Sequence, residues 1–282
     1  MRARAPASSA NLGPGFDTLA VALSLYVEVI VDGADALTVT AEGEGSDLPR
    51  DASHLAARVA CDVAGHDRLH VHVKSEIPVS RGLGSSASLA VAAAAAAGAM
   101  DPLAVGARVD GHPENAAASV LGGLVTAATI DDQPVAARLA LDSALGFVVV
   151  VPDRSLPTKD ARAALPATVP HADAAFNLGR MGLLIAGLAD ASVLVPRAMD
   201  DRLHQLPRAA LFPEAGALLS GLVERGALSA CWSGAGPTIL GVCRAHDTER
   251  LRSDAEDLLA SVGVAGRALA ATPDLDGLVV GE

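Results

Sequence analysis

The segment "SRGLGSSAS" (residues 80–88) carries residue types that could hold a phosphate. Gly82, Leu83, Gly84, Ser85 and Ser86 lie directly before residues 89–100, which are all small or apolar and predict a helix. The first N–H groups of a helix lack partners, and its dipole makes that end positive. Glycines let the backbone approach a phosphate closely, and serine hydroxyls add donors or a magnesium ligand. The pattern therefore favours a phosphate-binding loop, although a simple N-cap by Ser85 or Ser86 would use the same residues.

Two familiar phosphate-binding patterns fit this loop poorly. A Walker loop is excluded because no Gly-Lys-Ser/Thr follows the glycines. The dinucleotide pattern G-x-G-x-x-A matches at Gly82, Gly84 and Ala87, but it expects an uninterrupted hydrophobic strand before it. It also expects an acid at the end of the following strand, whereas Asp101 follows helix-like alanines. The dinucleotide interpretation is therefore disfavoured.

Two further segments combine small residues with polar groups. "PASSANLGPGFDTL" (6–19) holds Asn11 and Asp17 in a glycine-proline turn, and "WSGAGPTIL" (232–240) predicts a tight turn between strands. Turn chemistry explains each segment when it is taken alone, because Asn, Gly and Pro all favour turns. The three segments stand near the start, the middle and the end of the chain. We therefore predict that they assemble one site.

Composition restricts the partners of such a site. The net charge of −12 argues against binding to nucleic acid or to an anionic membrane, so local groups must hold any anionic substrate. The three cysteines form no C-x-x-C pair, which fits a reducing compartment. The start of the chain lacks the apolar core of a signal peptide, and residues 89–100 are too few for a membrane span of ~20 residues. We expect a cytoplasmic globular protein.

Hydrophobic periodicity predicts the elements that position these segments. Strands are predicted at residues 19–31, 37–45, 68–78, 146–153, 228–243 and 277–280, and helices at residues 53–65, 174–188, 193–201, 214–226 and 247–262. Ser53 is predicted to cap the first of these helices. Strands and helices mix without a regular βαβ rhythm, which indicates the α+β class. A loop at 131–144 is the predicted boundary between two domains, residues 1–140 and 141–282.

Several motifs occur together along the chain: "PASSANLGPGFD", "RGLGSSAS", "GHPEN" with "LGGL", "LPTKDARAALP", "FNLGR", "DRLHQLPR" and "SGAGPT". This combination, from residue 4 to about residue 243, resembles the GHMP kinase superfamily of small-molecule kinases, and within it the homoserine kinases. The resemblance implies an N-terminal ATP-binding domain like domain 2 of ribosomal protein S5 and a ferredoxin-like C-terminal domain. It also implies ATP-dependent phosphorylation of the L-homoserine hydroxyl in threonine biosynthesis. A homodimer is compatible with it.

The resemblance implies a role for each matching residue. Asn11 and Asp17 would face the ammonium and the reacting hydroxyl, and His112 would lie between substrate and phosphate. Arg180 and Arg208 would hold the carboxylate, because a planar guanidinium can bind a carboxylate with two hydrogen bonds. Phosphoryl transfer depends on positioning more than on a strong base. This suits Asn115, whose amide cannot take the proton, so that the proton would leave to the phosphate or through water.

The implied cofactors are ATP and Mg²⁺. Thr158 would lie near the transferred phosphate, and Ser86 and Asp110 would contact magnesium. The nucleotide would be held by the glycine loop and by the turn of the third segment: Arg81, Gly82, Leu83, Gly84, Ser85, Ser86, Ala87, Gly234, Ala235 and Gly236.

The chain departs from the family pattern beside the glycine loop. Only residues 87–111 separate Ser86 from His112, fewer than in most family members, and Arg108 and Asp110 stand where the family carries glutamates that help to hold magnesium. His54 stands where the family tends to have Asn near the nucleotide. Two alternatives therefore remain open from sequence. One is a relative that binds nucleotide or amino acid without turnover, and the other is a kinase for a different small alcohol.

Overall fold

Residues 1–281 are described by a computed structural model in which the strands form two sheets. The strands are β1 (Arg2–Ala10), β2 (Leu19–Gly33), β3 (Thr38–Gly43), β4 (Leu69–Ser75), β5 (Leu124–Ile130), β6 (Gln133–Leu139), β7 (Leu145–Pro152), β8 (Ser229–Trp232), β9 (Ile239–Arg244), β10 (Gly266–Ala271) and β11 (Val279–Gly281). The α-helices are α1 (Leu55–Ala64), α2 (Ser85–Ala96), α3 (Pro102–Asp110), α4 (Glu114–Leu121), α5 (Thr158–Ala163), α6 (His171–Ala189), α7 (Gln205–Arg208), α8 (Ala215–Glu224) and α9 (Thr248–Val262). The mixture confirms the α+β class.

The first sheet contains seven strands and carries the helix that follows the glycine loop. Its main path is β11-β1-β2-β4-β3, and β5 pairs with β2 and with β6. Only β3 and β4 run parallel within this sheet; its other pairs are antiparallel. Helices α2 and α4 pack on β1 and β2. The first predicted segment is therefore central to the fold, because β1 leads directly into residues 11–17.

The second sheet has four antiparallel strands in the order β10-β7-β9-β8. Strand β7 is buried along its whole length, as its unbroken apolar run predicts. Helices α8 and α9 pack on this sheet and enclose a core that contains Phe212 and Trp232. The turn between β8 and β9 lies in the predicted segment 232–240. The first sheet therefore leads into the segment at 6–19, and the second sheet carries the segment at 232–240.

Helix α2 is poor in large side chains because it is enclosed by neighbours. Its alanines are almost completely buried, and it contacts β1, β2, α1, α3 and α4. A Cβ at Gly106 of α3 would lie 2.7 Å from Val91 and 2.9 Å from Ala116, so α3 also packs closely against α2 and α4. Small residues thus allow three helices to surround the end of the glycine loop. Within residues 1–281 no helix is long and apolar enough to cross a membrane.

Two local predictions are wrong. Helix α1 is capped by His54, whose Nδ1 accepts from the Ala56 amide at 3.2 Å, whereas Ser53 bonds to Asp51. No helix forms at 193–201, where the chain makes one turn at residues 196–199. Pro196 disfavours a helix there, and Ala198 and Met199 pack into the core without helical periodicity.

The predicted loop at 131–144 is mostly a hairpin. Asp131 and Asp132 both have positive φ and join β5 to β6, as expected for a two-residue turn of the kind that connects antiparallel strands. The chain crosses to the second sheet only in the short stretch between β6 and β7. The domain division at residue 140 stays a prediction, since β11 returns to pair with β1 of the first sheet.

Candidate active site

The glycine loop is shaped by two very close backbone approaches. Gly82 and Gly84 have φ of +76° and +66°, a region that favours glycine. A Cβ at Gly82 would overlap the Ser233 carbonyl oxygen, and a Cβ at Gly84 would overlap the Ser8 hydroxyl. Helix α2 starts at Ser85, immediately after these positions. The glycine loop and the first residues of α2, Ser85 and Ser86, line the same cleft.

Hydrogen bonds join the three predicted segments. The Ser233 hydroxyl donates to the Gly82 carbonyl at 2.7 Å, and the Gly234 amide donates to the Ala10 carbonyl at 2.9 Å. The Asn11 side chain donates from Nδ2 to the Gly234 carbonyl at 2.8 Å and accepts from the Asp17 amide at 2.9 Å. Both polar ends of Asn11 are thus bonded within the protein. Its contacts support a role in shaping the site more than in binding a ligand.

Most of the residues predicted for the site line one cleft, whose cavity is about 100 Å³. The predicted residues in its wall are Asn11, Asp17, Arg81, Gly82, Leu83, Gly84, Ser85, Ser86, Asp110, His112, Asn115, Thr158, Arg208, Gly234 and Ala235. Ala87, Arg180 and Gly236 are outside this wall. Glu114 and Arg162 are charged residues of the wall that the sequence analysis missed.

Arg162 lies in the wall of the cleft, whereas Arg180 does not. Its guanidinium makes two parallel hydrogen bonds to Asp17, at 2.8 and 3.1 Å, whereas Arg180 stacks on Phe176 at 4.9 Å. Arg162 lies four residues after Thr158 on α5, a spacing that places both side chains on the same face of the helix. That spacing is the sequence signal that could have identified it.

Arg208 is 1% exposed and is held from two sides. Its Nε donates to the Ala161 carbonyl at 3.1 Å, and its Nη1 donates to Gly234 at 3.2 Å and to His204 at 3.0 Å. Burial lowers the pKa of Arg208 to about 10, with the charge of Arg162 adding to the effect, so the group is still protonated at neutral pH. Nη2 has no hydrogen bond to any of residues 1–281. A buried cation with one free NH2 group is suited to an anionic ligand.

An acidic cluster surrounds His112. The Glu114 side chain is 1% exposed, and its Oε1 lies 2.6 Å from His112 Nδ1, while its buried Oε2 has no partner within the described chain. Asn115 donates to Asp110 at 3.1 Å and accepts from the Ser8 hydroxyl at 2.8 Å. Two carboxylates and an amide thus meet beside the start of α2.

Burial and charge act against each other in this cluster. Burial opposes a charge on His112, but contact with Glu114 and the charges of Asp110 and Asp17 outweigh it, so the pKa of His112 is raised. Burial also raises the pKa of the Asp110 carboxyl, and the charge of Glu114 adds to that shift. Concentrated negative charge of this kind favours a bound cation.

The residues present fit a magnesium ion. Asp17, His112 and Glu114 offer ligand atoms that lie within 4.8 Å of one another, and Asp110 and Ser86 line the same cleft. Magnesium prefers oxygen ligands and binds through one or two carboxylates plus phosphate oxygens. The partnerless Oε2 of Glu114 is an oxygen of this kind. The carboxylate and hydroxyl oxygens in this part of the cleft are therefore of the kind that magnesium binds.

A second, largely apolar cavity of about 140 Å³ lies beside the start of α2. Ser85 and Ser86 line both this cavity and the cleft, and His54 lies in its wall. Its other wall residues include Val27, Leu48, Leu55, Val73, Val79 and Leu89. A ligand with an apolar ring and a phosphate chain could therefore extend from this cavity across the glycine loop into the cleft.

Comparison with known proteins gives a consistent result. Residues 51–123 match the GHMP kinases N terminal domain, and residues 174–262 match the GHMP kinases C terminal domain. The homoserine kinase of Desulfitobacterium hafniense is 35% identical in an alignment 295 positions long that covers 99% of each chain. The homoserine kinase of Rhodococcus opacus is 41% identical in an alignment 285 positions long that covers 90% of each chain.

Solved structures show the same fold. The crystal structure of the homoserine kinase from Cytophaga hutchinsonii superposes with a TM-score of 0.84 at 24% identity, covering 99% of this chain and 96% of that one. Mevalonate kinase of L. major, solved with R-mevalonate, gives a TM-score of 0.74 at 16% identity and covers 98% of this chain and 97% of its own. At these identities the structures support the fold alone.

We predict that Gly82→Ala separates the glycine loop from the turn at Ser233. Strain at positive φ costs about 1–2 kcal/mol for a non-glycine residue, and the overlap with the Ser233 carbonyl adds to that cost. Gly111→Ala is the matched control, because Gly111 has φ of +82° with no atom within 4 Å of a Cβ. Urea unfolding measures the loss of stability, and fluorescence of Trp232, the only tryptophan, reports on the turn. Equal losses and unchanged fluorescence for both variants would contradict the required close approach.

Proposed function

Because this chain belongs to the homoserine kinase family of the GHMP kinases, we propose that its cleft transfers the terminal phosphoryl group of ATP to the hydroxyl of L-homoserine. The product is O-phospho-L-homoserine, an intermediate for threonine biosynthesis. One observation carries the assignment of the cleft. An ion pair of Asp17 with Arg162, next to the buried Arg208, lies beside a glycine loop at the start of a helix. The first part suits a zwitterionic amino acid, and the second suits a phosphate.

The ion pair between Asp17 and Arg162 supports recognition of both substrate charges. We propose that the homoserine carboxylate binds the guanidinium groups of Arg162 and Arg208 and that its ammonium binds Asp17. Binding would then replace the ion pair between Asp17 and Arg162 with two ion pairs to the substrate. This replacement limits the cost of removing the substrate charges from water. The aromatic ring of Phe16 lies 5.7 Å from the Arg162 guanidinium and 5.5 Å from that of Arg208, within cation–π distance of both.

The acidic cluster is where we propose that the hydroxyl binds. Asn115 and Glu114 would orient the hydroxyl, with His112 keeping the Glu114 carboxylate in place, and Thr158 at the start of α5 would lie near the transferred phosphoryl group. The transition state of phosphoryl transfer is loose, so orientation and charge stabilisation supply most of the catalysis. The proton of the hydroxyl would leave to the phosphate or to water, since the Asn115 amide cannot accept it.

ATP use follows from the family, and we propose how this chain holds the nucleotide. The backbone from Arg81 to Ala87 and the turn from Gly234 to Gly236 would contact the phosphates, and the apolar cavity next to Ser86 would take the base. We further propose that Ser86 and Asp110 are ligands of Mg²⁺, which neutralises phosphate charge when bound. A cytoplasmic location is part of this proposal, since Cys61, Cys231 and Cys243 are all free thiols.

Turnover with a panel of substrates tests this function. We expect ADP release with Mg-ATP and L-homoserine, and little with 4-hydroxybutyrate or homoserinol, which lack the ammonium and the carboxylate respectively. Arg162→Ala should raise the KM for homoserine about 30- to 100-fold, since a charge-assisted contact is worth about 2–3 kcal/mol. Arg180→Ala is the control and should leave that KM unchanged.

The outcomes separate the three hypotheses. An absence of ADP release with every alcohol, together with measurable ATP binding, would favour a binding protein without turnover. ADP release with mevalonate but not with homoserine would contradict only the assignment of homoserine as the substrate. A larger effect of Arg180→Ala than of Arg162→Ala would restore the assignment made from sequence.

Asp110→Asn tests the magnesium ligand. An amide binds magnesium more weakly than a carboxylate, so we expect half-maximal activity and half-maximal ATP binding to need about tenfold more Mg²⁺. The KM for homoserine should stay unchanged. Asp101→Asn, at the other end of α3, is the control, because Asn also caps a helix well. An unshifted Mg²⁺ dependence of ATP binding would show that Asp110 is not a ligand.

We also propose that two copies associate through the outer face of α6, defined by Ala175, Leu178, Gly182, Leu183 and Ala186. This face is exposed and carries no charge, and Leu178 and Leu183 are 67% and 46% exposed. A Cβ at Gly182 would meet no atom within 4 Å. In an antiparallel pair with its two-fold axis at Gly182, Leu178 of one copy would face Ala186 of the other. The opposed helix dipoles would be complementary.

Sedimentation velocity tests this association. We expect a concentration-dependent dimer for the natural chain and a monomer for Leu178→Arg, because a buried unpaired charge would oppose the contact. Met100→Arg is the control, since Met100 is fully exposed away from α6. A natural chain that stays monomeric at concentrations well above those of the assay would contradict the proposal.

A further inference from the structure

His204 joins the segment at 11–17 to the buried arginine of the cleft. Its side chain has no exposed surface, and its ring stacks on Phe16 with the centroids 5.2 Å apart. Nε2 lies 2.7 Å from the Gly13 carbonyl oxygen, and Nδ1 lies 3.0 Å from Nη1 of Arg208. The ring therefore has a polar partner at each nitrogen and an aromatic partner on its face.

These partners determine the protonation state of the ring. The Gly13 carbonyl can only accept, so Nε2 must carry a hydrogen, and the Arg208 guanidinium can only donate, so Nδ1 must be free to accept. Burial lowers the pKa of His204 well below its usual value, and the positive charge of Arg208 adds to this, against the charge of Asp201. The imidazole is thus neutral at pH 7, with its hydrogen on Nε2.

Asp201 holds the backbone of His204 in place. Its buried carboxylate accepts from the His204 amide at 2.8 Å and from the Gln205 amide at 2.7 Å. It also accepts from the Asn177 side chain at 2.7 Å, which ties α7 to α6. Arg208 follows His204 by one helical turn, so the two side chains share a face. The ring is therefore anchored independently of any ligand.

The arrangement leaves Arg208 a single free donor group, the NH2 of Nη2. Nε bonds to Ala161 and Nη1 bonds to Gly234 and His204, so only Nη2 remains for a ligand. The direction of that donor depends on the atoms that hold the other two nitrogens. Of these three acceptors, only His204 Nδ1 is a side-chain atom, because the other two are the carbonyl oxygens of Ala161 and Gly234. The ring also contacts Gly13, four residues before Asp17, which is proposed to bind the ammonium.

We propose that His204 is a positioning residue for the substrate: its neutral imidazole donates to the segment at 11–17, accepts from Arg208, and so fixes the separation of the groups that bind the two charges of homoserine. This inference rests on the proposed function. It predicts that His204 affects homoserine binding and leaves nucleotide binding unchanged, although the residue contacts neither ligand.

Three variants separate the polar contacts from the packing. His204→Phe keeps the stacked ring and removes both polar contacts, and we expect it to raise the KM for homoserine about tenfold, with the KM for ATP unchanged. His204→Asn can place an oxygen near the position of Nδ1, and we expect it to restore part of the homoserine affinity. His204→Gln keeps a donor near Nε2 and serves if His204→Phe fails to fold. Urea unfolding of each variant measures the accompanying loss of stability.

A double-mutant cycle with Arg208→Ala gives the decisive readout. If His204 acts through Arg208, the effects of His204→Phe and Arg208→Ala on the KM for homoserine will be strongly non-additive. Additive effects, or equal increases in the KM for homoserine and for ATP, would overturn the positioning role and leave a purely structural one. An absence of wild-type turnover with homoserine would instead overturn the proposed function, and this role with it.

Discussion

The Gly234 carbonyl oxygen is the point on which the cleft depends. It accepts from Asn11 at 2.8 Å and from the buried Arg208 at 3.2 Å, while the amide of the same residue donates to Ala10. The backbone of this one residue thus joins the start of the chain, the second sheet and the cationic wall of the cleft. Because the neighbouring Ser233 also bonds to Gly82, movement of this turn would disturb the first segment, the glycine loop and Arg208 together.

The charge distribution follows from the need to hold anions in an acidic protein. The net charge of −12 repels a nucleotide at long range, so recognition depends on nearby groups. Helix dipoles, backbone N–H groups and two arginines supply that positive potential inside the cleft. Arg162 is neutralised by Asp17 and Arg208 is surrounded by carbonyl oxygens and a neutral histidine. The two arginines can therefore lie near each other, because Asp17 balances one of their charges.

The sequence predicted which segments line the cleft better than it predicted which charged side chains lie there. The three small-residue segments could be found because glycine, asparagine and proline at tight turns leave a strong local signal. The sequence did not single out Arg162, because its contact with Asp17 depends on how α5 packs. The carboxylate role of Arg180 stays a prediction. Glu114 was missed because its burial beside His112 depends on how the chain packs around the start of α4. Periodicity cannot describe a contact between distant parts of the chain.

The short stretch between the glycine loop and His112 illustrates the same limit. From the sequence it suggested the loss of an acid needed near the phosphates, yet α2 and α3 still form a compact hairpin. Gly106 allows α3 to pack closely on α2 and α4, and this brings Asp110, the last residue of α3, to the cleft. Asn115 then links Asp110 to Ser8, which packs against Gly84. A hairpin of small residues can therefore present an acid beside the loop with fewer residues, because close helix packing replaces length.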